Sequence, residues 1–135
     1  MTYKLHFDGS IADSFRQQLP RYSGIYLVYR GRFNAKDNLF YCGEILYIGQ
    51  AINIRERIVN HERRLDFSAT LGKNEVIFYS YAPLDISALD IVEGALIYIM
   101  KPRLNNIGKD SYIHHPIRVM SDGACALLDT DFQIQ

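Results

Sequence analysis

Residues 45–58 decide the fold, and they have the sequence Ile-Leu-Tyr-Ile-Gly-Gln-Ala-Ile-Asn-Ile-Arg-Glu-Arg-Ile. The first four residues are aliphatic or aromatic and are followed by Gly49, a pattern typical of a strand that stops at a turn. Asn53, followed three residues later by Glu56, predicts a helix start that resembles a capping box. The helix that follows is expected to have one inward face, formed by Ile54, Ile58, His61 and Leu65.

Further elements are predicted on both sides of this stretch. Strands are expected over 23–29 and 76–81, and a second helix from Ser87 to Pro102. Residues 31–43 form a loop or hairpin that is too short for a crossover helix, so the first two strands are expected to be antiparallel. The tail predicts a hairpin with a turn at Asp122-Gly123 and a returning strand over 124–128.

This order of elements favours an α+β fold with a small, mostly antiparallel β-sheet, flanking α-helices and a C-terminal β-hairpin. The chain has 135 residues, 48% of them hydrophobic and 22% charged, which is ordinary for one globular domain. No internal repeat or flexible linker divides it. We therefore expect a single domain over residues 1–135.

Composition excludes several classes of protein. The longest purely apolar run covers only residues 95–100, too short to span a membrane, and no apolar signal segment follows Met1, so we expect a soluble cytoplasmic protein. Two cysteines are too few for a disulfide scaffold. The net charge is zero, which argues mildly against nucleic-acid binding. However, residues 1–64 hold ten basic and six acidic side chains, whereas residues 65–135 hold five and nine.

Glu93 is the least expected residue of the second helix. It shares the apolar face with Leu89, Leu96, Ile97 and Met100, where an ionised carboxylate is costly unless it meets a cation, hydrogen-bond donors or a metal. Gly94 weakens the helix at the same place, which indicates that something approaches its surface closely. The alternative is a carboxylate at the edge of the face that reaches water.

The first helix offers basic residues, and two strands offer tyrosines. Arg57, His61 and Arg64 have the spacing of one helix strip, which predicts an anion site or a solvated basic surface. Tyr26 and Tyr47 lie in the centres of apolar strands, where packing is the usual role. Asn105 follows the second helix as a loop residue by default, and His114-His115 is expected to be a surface pair.

Two tripeptides carry a family resemblance. Gly24-Ile25-Tyr26 and Tyr47-Ile48-Gly49 are the two motifs that name the GIY-YIG nuclease family. The helix with Arg57 and His61, the later helix with Glu93, and the exit Pro102-Arg103-Leu104-Asn105 are also similar to the family pattern. The resemblance covers a catalytic core of about residues 22–106 and leaves a hairpin extension of about residues 107–135.

The resemblance implies a metal-dependent endonuclease that hydrolyses phosphodiester bonds, usually in DNA. Glu93 would be the sole protein ligand of a divalent cation, Mg²⁺ or Mn²⁺. Tyr26 would be the general base or would position the water, with His61 as its helper or as the base itself. Arg57 would hold the phosphate. Tyr47 would orient the nucleophile or a phosphate oxygen, and Asn105 would fix the site by hydrogen bonds.

The resemblance also suggests which residues contact the substrate and where specificity could come from. Arg55 and Arg64 are expected to contact nucleic acid, and Arg30, Arg32 and Lys36 to form a contacting flap, because the stretch between Tyr26 and Tyr47 is longer than in compact family members. Specificity would come from loops, a homodimer or a partner protein. The alternatives are a catalytically inactive nucleic-acid-binding module and a protein-interaction domain. Repair, restriction, mobile-element and toxin roles all stay open.

Overall fold

Six strands from both ends and the middle of the chain form one sheet. The computed structural model describes residues 1–135. The strands are β1 (Thr2–Ala12), β2 (Gly24–Asn34), β3 (Leu39–Ala51), β4 (Val76–Pro83), β5 (Ile117–Gly123) and β6 (Asp131–Ile134). Their order is β3-β2-β4-β1-β5-β6, and only β1 and β5 pair in parallel. The α+β class and the mostly antiparallel sheet are thereby confirmed.

Three helices cover the sheet. They are α1 (Ile54–Val59), α2 (Arg64–Ser68) and α3 (Leu89–Met100), with short 3-10 turns at Asp13–Gln18 and Ile86–Ala88. The Asn53 side chain accepts a hydrogen bond from the Glu56 amide, which confirms the predicted start of α1. No helix has the length and apolar character needed to cross a bilayer.

Strand β2 is buried on both of its faces because its apolar residues do not alternate with polar ones. Ile25, Leu27 and Tyr29 pack into a large core with α3. Tyr26 and Val28 point to the other face, into a smaller core with α1 and α2. A strand with two buried faces lies inside a sheet, and β2 is indeed hydrogen-bonded to β3 and β4. The predicted antiparallel pairing of β2 with β3 is confirmed.

The prediction of one continuous helix after Gly49 is wrong in its second half, where two short helices, α1 and α2, are found instead. The chain leaves α1 at Asn60, whose side-chain amide donates to the Glu56 carbonyl, and starts again at α2. Leu65 is therefore 84% exposed, and Phe67 takes the buried place that the helical spacing assigned to Leu65. The contiguous strip of Arg57, His61 and Arg64 is wrong for the same reason.

Two differences concern the ends of the chain. Strand β1 was not expected, yet it lies between β4 and β5 and buries Leu5 and Phe7. The C-terminal hairpin exists, but its second strand is β6, not residues 124–128. Residues 124–130 form the connection instead, and Leu127 there has a positive φ of 68°, a conformation that a strand does not contain.

Candidate active site

A cleft of about 620 Å³ opens beside β3, which is an edge strand of the sheet. Side chains from both faces of the sheet meet there: Tyr47 and Arg63 from the α1 and α2 side, and Asp90 and Glu93 from α3. Residues 105–108 and 111–114 close the far wall. Of the residues singled out in the sequence, Tyr47, Glu93 and Asn105 line this cleft, whereas Arg57 lines a separate groove that also contains Gln50. Tyr26 and His61 are buried and contact Tyr47.

An aromatic cluster packs around Tyr47, which lines the cleft. The Tyr26 hydroxyl lies 2.9 Å from His61 Nε2, and both side chains are buried, with exposures of 1% and 5%. The Tyr47 ring stacks on the Tyr26 ring at 6.3 Å and meets the edge of the His61 ring at 5.3 Å. Phe67 packs against His61 and Tyr47 and holds the cluster from α2. Tyr26, Tyr47 and His61 thus act as one packed unit.

Gly49 is required because the Tyr26 ring crosses it. Tyr26 and Gly49 are register partners of β2 and β3, and a Cβ atom at position 49 would lie 2.2 Å from Tyr26 Cζ. A Cβ at Gly24 would lie 2.0 Å from the Ala82 carbonyl oxygen, where β2 approaches β4. Each tripeptide glycine therefore has a steric reason, and the one at position 49 lets the Tyr26 hydroxyl reach the edge of the sheet.

The hydrogen bonds of His61 define its tautomer. Its Nδ1 accepts the backbone N–H of Arg63 at 3.1 Å, so in the neutral ring the proton is on Nε2. Nε2 then donates to the Tyr26 oxygen. Burial, with the nearby Arg57 charge, lowers the pKa of His61 to about 4, so the ring is neutral at pH 7. Neutral His61 in this tautomer cannot take the Tyr26 proton, because its free nitrogen faces the backbone.

This assignment predicts an NMR signature and a pH dependence. Long-range ¹H–¹⁵N spectra at pH 7 should show His61 as the Nε2–H tautomer. The pKa of His61 is lower in the folded state than its ordinary 6.5, so the unfolded chain binds the proton more tightly. The stability that depends on neutral His61 is therefore complete above pH 6.5 and is lost as the pH falls towards 4. A protonated Nδ1 at pH 7 would contradict the assignment.

Arg57 is held by an acidic neighbour. Its guanidinium donates to both carboxylate oxygens of Glu62, at 2.6 and 3.0 Å. This pair raises the pKa of Arg57 and lowers the pKa of Glu62 to about 2. Burial raises the pKa of Tyr26 far above its ordinary value, and the Arg57 charge opposes that rise. Arg57 is thus close to the tyrosines. It binds the Glu62 carboxylate through two parallel hydrogen bonds, the same arrangement in which a guanidinium binds two oxygens of a phosphate.

Glu93 lies on the other side of β3 and is half-buried. Its Oε1 accepts a hydrogen bond from Gln50 Nε2 at 3.1 Å, and the same nitrogen donates to Asp90 Oδ1 at 2.7 Å. Burial raises the pKa of Glu93 above its ordinary value, and the Gln50 hydrogen bond only partly opposes this shift. Glu93 therefore lies between the two positions that the sequence left open, a carboxylate turned inward and one at the edge of the face that reaches water.

The Asn105 side chain makes hydrogen bonds to the edge strand β3 that a neighbouring strand would otherwise make. Its Oδ1 accepts the Ile48 N–H and its Nδ2 donates to the Ile48 carbonyl, both at 2.9 Å. The Leu104 N–H donates to the Leu46 carbonyl at 3.0 Å. These bonds fix the stretch of β3 that carries Tyr47 and close the edge against other strands.

Replacement of Asn105 by Ala should destabilise the fold. The buried N–H and C=O of Ile48 would both lose their partner, at a cost of about 1–3 kcal/mol each, so we expect a loss of roughly 2–6 kcal/mol in the free energy of unfolding. Urea denaturation measures it. Asn106→Ala is the matched control, since Asn106 is exposed and should change stability by less than about 0.5 kcal/mol. Equal stability of the two variants would contradict the role.

Sequence comparison provides one relative. The chain is 29% identical over 112 residues to UvrABC system protein C of Fervidobacterium nodosum, an alignment that covers 78% of this chain. The alignment covers 17% of the length of that relative. No family model matches the chain, and no solved structure matches it.

Four basic residues from the sequence analysis lie elsewhere or are engaged. Arg64 pairs with Asp13 at 2.9 Å, and Arg55 donates to the Leu19 carbonyl at 2.6 Å. Arg32 and Lys36 are exposed near the tip of the β2–β3 hairpin. Arg32 is six residues along β2 from Tyr26, a distance of roughly 20 Å in an extended strand. These four residues do not join the cleft, and their contact with nucleic acid stays a prediction.

Several cleft residues were not expected from the sequence. Arg63 lies over the Tyr47 ring at 5.9 Å. Asp90 accepts a hydrogen bond from Gln50, which lies beside the cleft and also donates to Glu93. His114 also lines the cleft, and its ring lies 3.4 Å from where a Cβ of Gly94 would be. The glycine at position 94 was a usable signal of this close approach. Nothing in the sequence indicated that His114 is the residue that makes it.

Proposed function

We propose that the chain is a GIY-YIG-type, metal-dependent endonuclease that hydrolyses phosphodiester bonds in DNA. The observation that carries the proposal is the convergence of the Tyr26–His61–Tyr47 cluster, Arg57 and Glu93 at one edge of the sheet. The similarity to a UvrABC system protein C supports a nuclease-related role in DNA repair. A single cleft cuts one strand, so cutting both strands would need a second copy of the chain or a second binding event.

The donor set at Glu93 fits a hard divalent cation. The group is an oxygen ligand whose charge is poorly hydrated in the folded chain, and its hydrogen-bond partner is a side-chain amide. Carboxylate oxygens with water and substrate phosphate are the ligands that Mg²⁺ and Mn²⁺ prefer. Glu93 would hold such a cation, which when bound polarises the phosphate and stabilises the leaving 3′-oxygen.

Tyr26 is proposed to handle the attacking water as a neutral phenol. One lone pair of its oxygen accepts the His61 Nε2–H, which leaves a second lone pair for water and directs the phenol proton elsewhere. As the water oxygen attacks phosphorus, its proton passes to the Tyr26 oxygen and the phenol proton passes to a phosphate oxygen. This relay requires no free phenolate, which agrees with the raised pKa of Tyr26.

Arg57 is proposed to exchange Glu62 for the substrate. A phosphate offers the same pair of oxygens as the Glu62 carboxylate, and Glu62 is exposed and can turn away into water. The guanidinium then stabilises the negative charge that develops on the phosphate in the transition state. Arg63, which lies over the Tyr47 ring, is likewise paired with an exposed carboxylate, that of Asp66.

Nicking of a supercoiled plasmid tests the proposed function. With Mg²⁺ or Mn²⁺ the chain should convert the plasmid to open circles, and a chelator should stop the reaction. Arg57→Ala should reduce the rate by a factor of about 10²–10³, because it removes a transition-state contact. Arg118→Ala is the matched control, since Arg118 pairs with Asp131 at the β5–β6 edge. Salt-sensitive DNA binding without nicking in either metal would favour the inactive binding module instead.

A further inference from the structure

The amide of Gln50 bridges two carboxylates of α3. Its Nε2 lies 2.7 Å from Asp90 Oδ1 and 3.1 Å from Glu93 Oε1, so one point in the cleft is within 3.1 Å of both acids. Nε2 must be the atom in this place, because the amide oxygen would be repelled by both carboxylates. Gln50 comes from β3, and its two amide hydrogens satisfy both acids at once.

We propose that Asp90 is a second carboxylate ligand of the cation held by Glu93, and that the Gln50 amide occupies the cation position when no cation is bound. This inference rests on the proposed function. Asp90 and Glu93 are three residues apart on α3 and therefore lie on the same helix face. A Mg²⁺ site commonly uses one or two carboxylates, with waters and substrate phosphate completing the octahedron.

The geometry needs only a small rearrangement. The carboxylate oxygens now lie at hydrogen-bond distances from Gln50 Nε2, and contraction to metal–oxygen distances of about 2.0–2.1 Å is a movement of roughly 1 Å or less for each. Asp90 is exposed, so its side chain is free to make this movement. The Gln50 amide, however, has to leave, because a cation and an N–H donor cannot share one place.

A purely structural role for Asp90 makes a different prediction. Asp90 lies in the first turn of α3, where a negative charge stabilises the helix dipole. If this were its whole role, Asp90→Asn would lower the Tm slightly and leave cation affinity unchanged. Cation affinity therefore separates the two roles, and it can be measured without any cleavage assay.

Titration with Mn²⁺, followed by calorimetry and by electron paramagnetic resonance of the free ion, tests the inference on the full chain without DNA. Asp90→Asn should weaken Mn²⁺ binding by about tenfold or more, since it removes one charged ligand. Gln50→Ala should tighten binding several-fold, because it removes the competing donor. Asp37→Asn, at the tip of the β2–β3 hairpin, changes charge equally and should bind like the unsubstituted chain.

The outcomes separate this inference from the proposed function. If the unsubstituted chain binds Mn²⁺, Glu93→Gln abolishes binding and Asp90→Asn binds normally, the second-ligand role is overturned and the proposed function stands. Weaker binding in Gln50→Ala would overturn the claim that its amide competes with the cation. If the unsubstituted chain binds no Mn²⁺, both the cation part of the proposed function and the present inference fail.

Discussion

Replacement of Glu93 by Gln is expected to abolish cleavage and to stabilise the fold. The substitution removes the charged oxygen that would hold the cation, so the nicking rate should fall by a factor of at least about 10³. The half-buried carboxylate is poorly hydrated, and the neutral amide of the same shape avoids that cost. The Tm at pH 7 should therefore rise while activity is lost.

The stabilisation expected from Glu93→Gln should depend on pH. The pKa of Glu93 is higher in the folded state than in the unfolded state, so the folded chain binds more protons and its stability falls as the pH rises through this range. The gain in stability from Glu93→Gln should be present at pH 7. It should vanish below about pH 4, where the Glu93 carboxyl is protonated in the unfolded chain as well as in the folded one. Glu56→Gln, on the exposed side of α1, is the control. A Glu93→Gln variant that still nicks DNA would contradict the assignment.

Replacement of Tyr26 by Phe is expected to remove most of the activity by a different route. The ring stays in place over Gly49, but the oxygen that would receive the proton of the water is gone, and general acid–base groups typically contribute a factor of about 10²–10⁴. The His61 Nε2–H loses its partner in a buried place, which should cost about 1–3 kcal/mol of stability.

Tyr29→Phe is the matched control for this experiment. Tyr29 lies on the same strand, is equally buried, and donates its hydroxyl to the Ala126 carbonyl at 2.8 Å on the opposite face of the sheet. Its loss should cost similar stability and leave the nicking rate unchanged. Equal rates for Tyr26→Phe and Tyr29→Phe would show that the Tyr26 hydroxyl takes no part in the reaction.

The sequence predicts the centre of the fold well because local signals agree there. The apolar run after Gly24 and the cap at Asn53 match the observed elements, whereas the strand predicted to stop at Gly49 continues to Ala51. Glu93 lies on an apolar helix face, as the spacing predicts, and its side chain is half-buried. In each case the steric or electrostatic reason involves residues that are close in sequence or follow a clear period.

The remaining features depend on contacts between distant residues. The alternation of Tyr3, Leu5 and Phe7 was a usable signal for β1, but its parallel partner β5 is more than a hundred residues away. The break at Asn60 overrides the helical period beyond His61, so that Leu65 is exposed and Phe67 is buried in its place. Residues 124–128 have strand-like composition, yet β6 forms the hairpin instead.

The contacts of Gln50, Asp90 and Glu62 could not be predicted from the sequence for the same reason. Gln50 and Asp90 come together only because α3 packs beside the edge strand β3. Glu62 follows His61 in sequence, but its bond to Arg57 requires the chain to turn between α1 and α2. No local pattern predicts either contact.

Cleavage of a labelled DNA duplex in ¹⁸O-enriched water, analysed by mass spectrometry, tests whether the chain hydrolyses DNA by a metal-dependent attack of water on phosphorus. Hydrolysis at phosphorus with a leaving 3′-oxygen predicts one ¹⁸O atom in the new 5′-phosphate of every cut, with Mg²⁺ present, and no product from Glu93→Gln. Products without ¹⁸O, or the same products from Glu93→Gln or in the presence of a chelator, would contradict a metal-dependent hydrolysis at this site.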